Sequence, residues 1–137
     1  AFELMPAGKE CAVRSIQAHD RDVPEAGCPT RVGLAVKGIS PDDVKRGSIL
    51  AEKGCTHTVT ELQGEFLQCK YYKNEIKNEM QMHVQIGLAV VGCRVKSTQP
   101  FSVSLSQPVA ISGNETALLI DISGKPRIAG TCRLNAE

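Results

Sequence analysis

The sequence contains no tryptophan, and only two tyrosines and three phenylalanines stand among its 137 residues. Any core must therefore come from Val, Ile, Leu, Ala and Cys, a β-branched-rich set that suits strands better than helices. No apolar run approaches the roughly twenty residues that a membrane-spanning helix needs. The first residues lack the charged end and long apolar stretch of a signal peptide. An excess of either charge is missing too, since the net is +1. No global field recruits nucleic acid, so any RNA contact must come from local clusters.

The chemistry-bearing patterns are equally sparse. Cys11, Cys28, Cys55, Cys69, Cys93 and Cys132 are far apart, with no C-x-x-C pair and no His at zinc-ligand spacing. Cys69, Cys93 and Cys132 fall within apolar strand patterns, where a free Cys behaves as a small buried hydrophobe. These spacings favour buried reduced thiols over disulfides or a metal, and hence a reducing, cytoplasmic setting. Phosphoryl transfer needs backbone amides, a lysine and a metal placed together. Here there is no G-x-x-x-x-G-K-[ST] loop and no Asn-Lys-x-Asp guanine reader. His19, His57 and His83 are scattered, and no Ser or Cys sits in a nucleophile elbow. The expectation is a non-enzymatic chain without a metal. A small β-barrel enzyme whose site converges from distant positions is the weaker alternative.

What is present is a succession of strand patterns. Phe2-Glu3-Leu4-Met5, the turn Pro6-Ala7-Gly8 and Lys9 to Gln17 read as a β-hairpin. Arg21 to Pro29 is a loop with two prolines and a glycine. In Thr30 to Ala51, Val32, Leu34 and Val36 alternate with Arg31, Gly33, Ala35 and Lys37, the period of a strand buried on one face. Pro41 and Asp42 start a tight connection, Gly47 supplies a permissive backbone position, and Ser48-Ile49-Leu50 reads as a return strand. The polar Glu52-Lys53-Gly54 is a candidate boundary. Beyond it, Leu67, Cys69 and Tyr71 fall on one face, and Lys73 to Glu79 reads as a long loop or hairpin tip. Val84, Ile86, Leu88 and Val90 share a side, with Gly87 and Gly92 as candidate bulges or bends. Phe101, Val103 and Leu105 alternate with serines, and strands over Thr116 to Ile122 and Ile128 to Leu134 follow. No helix is convincing. About six strands from Glu65 to Leu134 indicate a closed antiparallel barrel or sandwich, and the chain as a whole reads as all-β.

One stretch carries a more specific pattern. Val32-Gly33-Leu34-Ala35-Val36-Lys37-Gly38, then Asp42-Asp43-Val44-Lys45, then Arg46-Gly47-Ser48-Ile49-Leu50 resembles the end of the second domain of EF-Tu-like translation GTPases. Val13 to His19 is similar to the corresponding stretch of the SelB branch, the selenocysteine-specific relatives. Tyr71-Tyr72-Lys73, His83-Val84-x-Ile86-Gly87, Pro108-Val109 and Thr131-Cys132-Arg133-Leu134 are similar to the third domain of SelB-type factors. One departure is Leu88, where SelB relatives often carry a second His.

The resemblance implies two antiparallel β-barrels: residues 1–53 a partial second-domain barrel, and residues 54–137 a third-domain barrel. With no initiator Met and a start inside strand-like residues, the expectation is a fragment with a strand edge left uncovered, open to self-association. The implied function is the non-catalytic, tRNA-binding portion of an elongation factor. Its partners in the whole factor would be aminoacyl-tRNA and the ribosome, with no membrane contact. GTP and Mg2+ would belong only to an upstream GTPase domain. Carried over by position, Gln17, His19 and Arg31 would line the pocket for the aminoacyl end. Arg and His suit an anionic or polarised group, and Gln suits an amino or carbonyl group. Arg31 as a solvated strand-end charge and His19 as an ordinary loop residue remain the plainer account. Lys70, Tyr72, Lys73 and Lys77 combine cations with an aromatic pair, able to touch RNA phosphate and stack on sugar or base. Glu75 and Glu79 cancel much of that field, so a solvated loop is an equal account. The rival function is a protein-interaction or regulatory barrel module from a relative that has lost tRNA delivery.

Overall fold

The structure, a computed structural model, describes residues 2–134. Eleven strands account for its regular structure, with a single 3-10 turn at Pro41–Asp43. The first five are β1 (Phe2–Met5), β2 (Lys9–Ala18), β3 (Arg21–Val23), β4 (Gly33–Lys37) and β5 (Ile49–Glu52). They make one sheet in the order β3-β2-β1-β5, with β4 pairing β2. The other six are β6 (His57–Gln68), β7 (Gln81–Ile86), β8 (Ala89–Thr98), β9 (Phe101–Ile111), β10 (Thr116–Ile120) and β11 (Ile128–Leu134). They close a barrel in the order β10-β11-β6-β9-β8-β7, every pair antiparallel. The fold is thus all-β.

Alternation explains the barrel. Met82, Val84 and Ile86 on β7, Cys93 and Val95 on β8, and Phe101, Val103 and Leu105 on β9 point inward and are buried. Phe66 and Phe101 stack with ring centroids 4.5 Å apart. Each buried side chain of this size contributes about 1.5–3 kcal/mol, so the barrel carries most of the fold's apolar stabilisation. In the first sheet only Leu4 and Cys11 are buried hydrophobics.

Several expectations change on this frame. The β4 pattern does not bury a face: Leu34 is 41% exposed, because no apolar layer lies across it among the described residues. On β6 the inward residues are Leu62, Gly64 and Phe66, while Leu67 and Tyr71 are exposed. Likewise Leu88 and Val90 lie on the surface while Val84 and Ile86 are in the core. Gly87, at φ +58, makes the two-residue turn from β7 to β8, but Gly92 pairs with His83 with no break in register. All six cysteines are free, yet Cys28 and Cys55 are exposed rather than buried.

The connection from β4 to β5 joins the two sheets. Asp43 caps the 3-10 turn: its Oδ2 accepts from the Ser40 N–H at 2.9 Å and its Oδ1 accepts from Lys9 Nζ at 2.5 Å. Lys9 first, then the Ser40 amide, hold the Asp43 carboxyl below its ordinary value. Gly47 then adopts φ +95, and a Cβ there would stand 2.8 Å from the Ala89 Cα. Only glycine satisfies both the backbone angle and the close approach. This Arg-Gly step therefore seats the first sheet against the β7–β8 hairpin.

Candidate functional site

A hairpin builds the first site. Ala18 pairs with Arg21, leaving His19 and Asp20 as a two-residue turn with φ +54 and +62. Consecutive positive φ values are the geometry that the right-handed twist of a two-residue hairpin prefers. His and Asp reach it at a cost that Asn-Gly would avoid. Across the sheet Gln17 pairs with Gly33, which brings the residues before β4 beside the turn. Gln17, His19, Asp20, Thr30 and Arg31 then line one open concavity of about 690 Å³. Because position 33 lacks a side chain, nothing fills the space opposite Gln17. The Gln17 amide donates to Asp22 Oδ1 at 3.0 Å, leaving its own oxygen to accept from a ligand. The three carried-over residues, fourteen positions apart at their extremes, are together.

The lysine loop behaves differently. Lys70, Lys73 and Lys77 are exposed, and Lys70 lies 4.9 Å over the ring of Tyr71. Tyr72 is not on that surface. It is 2% exposed and donates its hydroxyl to Asp121 Oδ2 at 2.7 Å. Burial first, then this carboxylate, push the phenol up. A ring sealed in the barrel cannot stack on a base, so Tyr72 leaves the set of RNA-facing candidates. Lys73 instead edges a hollow of about 300 Å³ with Ile76, Phe66 and Phe101.

A second concavity, which sequence reading missed, lies on the barrel's outer wall and measures about 580 Å³. His83, Arg94 and Lys96 stand around it, with Gly92, Ser104 and Ser106 as its floor. The register creates the hollow: His83 pairs with Gly92, and Arg94 pairs with Ser104, so each large side chain faces a small one. Glu79 sits 3.7 Å from Arg94 and 3.6 Å from Lys96, one carboxylate against two cations. The balance is locally positive and lined with hydroxyls, a chemistry suited to a phosphate backbone. The signal in sequence was Arg94-x-Lys96 with serines at alternate positions on the next strand.

Among the described residues no group of three or more His, Cys, Asp or Glu could hold a metal ion. No glycine-rich loop among the described residues opens a helix to take phosphates either. Nor is any helix among the described residues long and apolar enough to cross a membrane.

No protein-family model matches the chain. It is 34% identical over 135 residues to an uncharacterised protein of Methanocaldococcus jannaschii, covering 97% of this chain and 44% of that protein. The selenocysteine-specific elongation factor of the same organism is 32% identical over 91 residues, covering 66% of this chain and 19% of the factor. The chain therefore spans less than half the length of these curated relatives. The crystal structure of translation elongation factor SelB from Methanococcus maripaludis, apo form, superposes with TM-score 0.83 at 21% identity, over 98% of this chain and 34% of that one. Sequence and fold point the same way: this chain is homologous to the C-terminal β-barrel region of the EF-Tu/SelB family of elongation factors.

Proposed function

We propose that the chain is the tRNA-binding, non-catalytic portion of a cytoplasmic SelB- or EF-Tu-like factor. The first concavity takes the aminoacyl end of a charged tRNA and the barrel's basic concavity takes RNA phosphates. GTP and Mg2+ are held by a separate domain of the whole factor, and the ribosome is a partner of the whole factor. The observation that carries this reading is the convergence of Gln17, His19 and Arg31 on one open concavity. Its groups match an aminoacyl ester, with a guanidinium and an imidazole for polarised or anionic atoms and an amide oxygen for an ammonium. The exposed lysines of the 69–80 loop are a secondary phosphate contact.

The test is binding of charged and uncharged tRNA by the whole factor that carries this region. Arg31→Ala is expected to weaken charged tRNA about tenfold, the size of a hydrogen bond to a charged group, and to spare uncharged tRNA. Arg94→Ala with Lys96→Ala should weaken both alike and lower the salt slope by about 1.5. If Arg31→Ala leaves charged-tRNA affinity untouched, the pocket assignment is wrong and the interaction-module function takes its place.

A further inference from the structure

We propose that Glu79 is a built-in competitor of RNA phosphate: its carboxylate lies across Arg94 and Lys96 and must be displaced before the barrel's concavity takes its ligand. This rests on the reading of that concavity as an RNA-backbone site. Arg94 and Lys96 stand two residues apart on the outward face of β8, alternating with the buried Cys93 and Val95. Glu79 reaches both from the exposed side, with Oε2 3.7 Å from the Arg94 guanidinium and Oε1 3.6 Å from Lys96 Nζ. It divides its two oxygens between two cations, as a bridging phosphate would. Neither contact is at hydrogen-bond distance. The pair therefore holds by charge alone, and a phosphate that also accepts hydrogen bonds can replace it. The three side chains are 45–61% exposed, so RNA can reach them.

The backbone is bent to put the carboxylate there. Glu79 has φ +68, the left-handed region that most side chains avoid. It is the third residue of a turn closed by the Met80 N–H on the Lys77 carbonyl at 3.3 Å. With positive φ, that position ordinarily takes glycine or asparagine. The Glu79 N–H donates to the Val95 carbonyl at 2.7 Å, and the Val95 N–H donates to the Met80 carbonyl at 3.0 Å, so two residues face one. This is the pattern of a bulge whose first residue is ordinarily glycine. Met80 packs against the core while Glu79 stays outside, beside the two cations. Exposed ion pairs contribute little to stability, so folding alone would favour glycine here. What glutamate supplies and glycine does not is a negative charge over Arg94 and Lys96. Backbone strain retained at such a point argues for a contact kept for function.

The experiment measures the affinity of the full chain for a short RNA duplex across salt concentration, with a thermal melt for each variant. Glu79→Gln keeps the side-chain length and removes the charge. It should bind about threefold more tightly at low salt, the scale of an exposed ion pair that no longer has to be broken. Its salt slope should be steeper, because both cations are then free for phosphate. Glu79→Gly should bind as tightly as Glu79→Gln and melt no lower than wild type. On an Arg94→Ala, Lys96→Ala background, Glu79→Gln should lose its threefold effect, since the cations it competes for are gone. Unchanged affinity with a lower melt would make Glu79 a merely stabilising residue, and the competition is overturned while the RNA site stands. Equal tightening on both backgrounds would reduce the effect to general charge and overturn it as well. If Arg94→Ala with Lys96→Ala binds like wild type, or neither wild type nor Glu79→Gln binds the duplex, the RNA site itself fails and the competition falls with it.

Discussion

A carboxylate sealed into a barrel wall is costly unless its lone pairs are filled, and Asp121 fills three of them from Tyr72 and Ser123. The Tyr72 hydroxyl, against the opposing effect of burial, holds the Asp121 carboxyl below the usual range. With the folded pKa below the unfolded one, this stability is present above about pH 4 and is lost as pH falls through the folded value. The Tyr72 phenol moves the other way, so its contribution is present below about pH 10 and is lost as pH rises through its raised folded pKa. Melting temperature followed across pH should therefore fall less steeply in acid for Asp121→Asn, and less steeply in alkali for Tyr72→Phe, than for wild type. Parallel profiles for all three would show that the pair is not coupled to folding. The thiols give a second residue-scale prediction. Burial pushes Cys93 and Cys132 up to about 11, while Cys28 and Cys55 are exposed. A thiol reagent at about pH 8 should modify Cys28 and Cys55 quickly and reach Cys93 and Cys132 only at the rate of unfolding. Fast labelling of all six would contradict the barrel core. At the first site, Gln17, His19 and Arg31 were grouped by the family resemblance alone, because the β2–β3 hairpin that sets them around one concavity lies partly in a stretch, Arg21 to Pro29, whose prolines and glycine read as loop. The burial of Tyr72 was not legible either, since it follows the end of β6, where the strand period no longer says which way a side chain points.

Strand pattern was readable wherever a strand has an inside and an outside over its whole length. On β7 and β9 the alternation of apolar residues with His83, Gln85 and the serines names the core face directly. β6 misleads because apolar residues lie on both of its faces near its end, Phe66 against the core and Leu67 exposed, and farther up the strand its register with β9 also shifts between Val59 and Glu61. Val59 packs against the core before the shift, and Leu62 and Phe66 do so after it. A bulge adds one residue and flips the phase, so odd positions point inward on one side and even positions on the other. No local sequence pattern marks that point. β4 misleads for the opposite reason, as its alternation is regular but nothing covers the face. Among the described residues β4 pairs only β2, and β5 pairs only β1, so each leaves one edge of unpaired backbone groups. Open, partly apolar edges recruit further strands. Sedimentation of the isolated chain is expected to show concentration-dependent self-association, weakened by Leu34→Lys, which places charge beside an open edge. A monomer at all concentrations, with β4 amides protected from hydrogen exchange, would count against this.

The whole molecule carries two concavities of different chemistry on two sheets, and a ligand that reaches both gains from their being joined rigidly. The net charge of +1 gives little long-range attraction, so affinity must come from simultaneous engagement of local groups. The joint is the Gly47–Ala89 contact, with a cleft of about 230 Å³ beside it between Arg46, Ser48 and the Gln107–Ala110 segment. A charged tRNA would occupy the Arg31 concavity and the Arg94 concavity together, whereas an uncharged one needs only the barrel. Loosening the joint lowers the effective concentration of the second site without altering either site's own groups. Gly47→Val meets both a forbidden backbone angle and the Ala89 backbone, at a cost of about 2 kcal/mol or more if the contact is kept. The chain's cheaper response is to give up the contact. The expected result is a loss of charged-tRNA affinity of about tenfold, with uncharged-tRNA affinity and the salt slope unchanged. Measured beside Arg31→Ala in the whole factor, this separates a rigid joint from a flexible one. If Gly47→Val weakens both tRNAs equally, the variant has damaged the barrel itself. If it weakens neither, the two concavities do not act on one ligand.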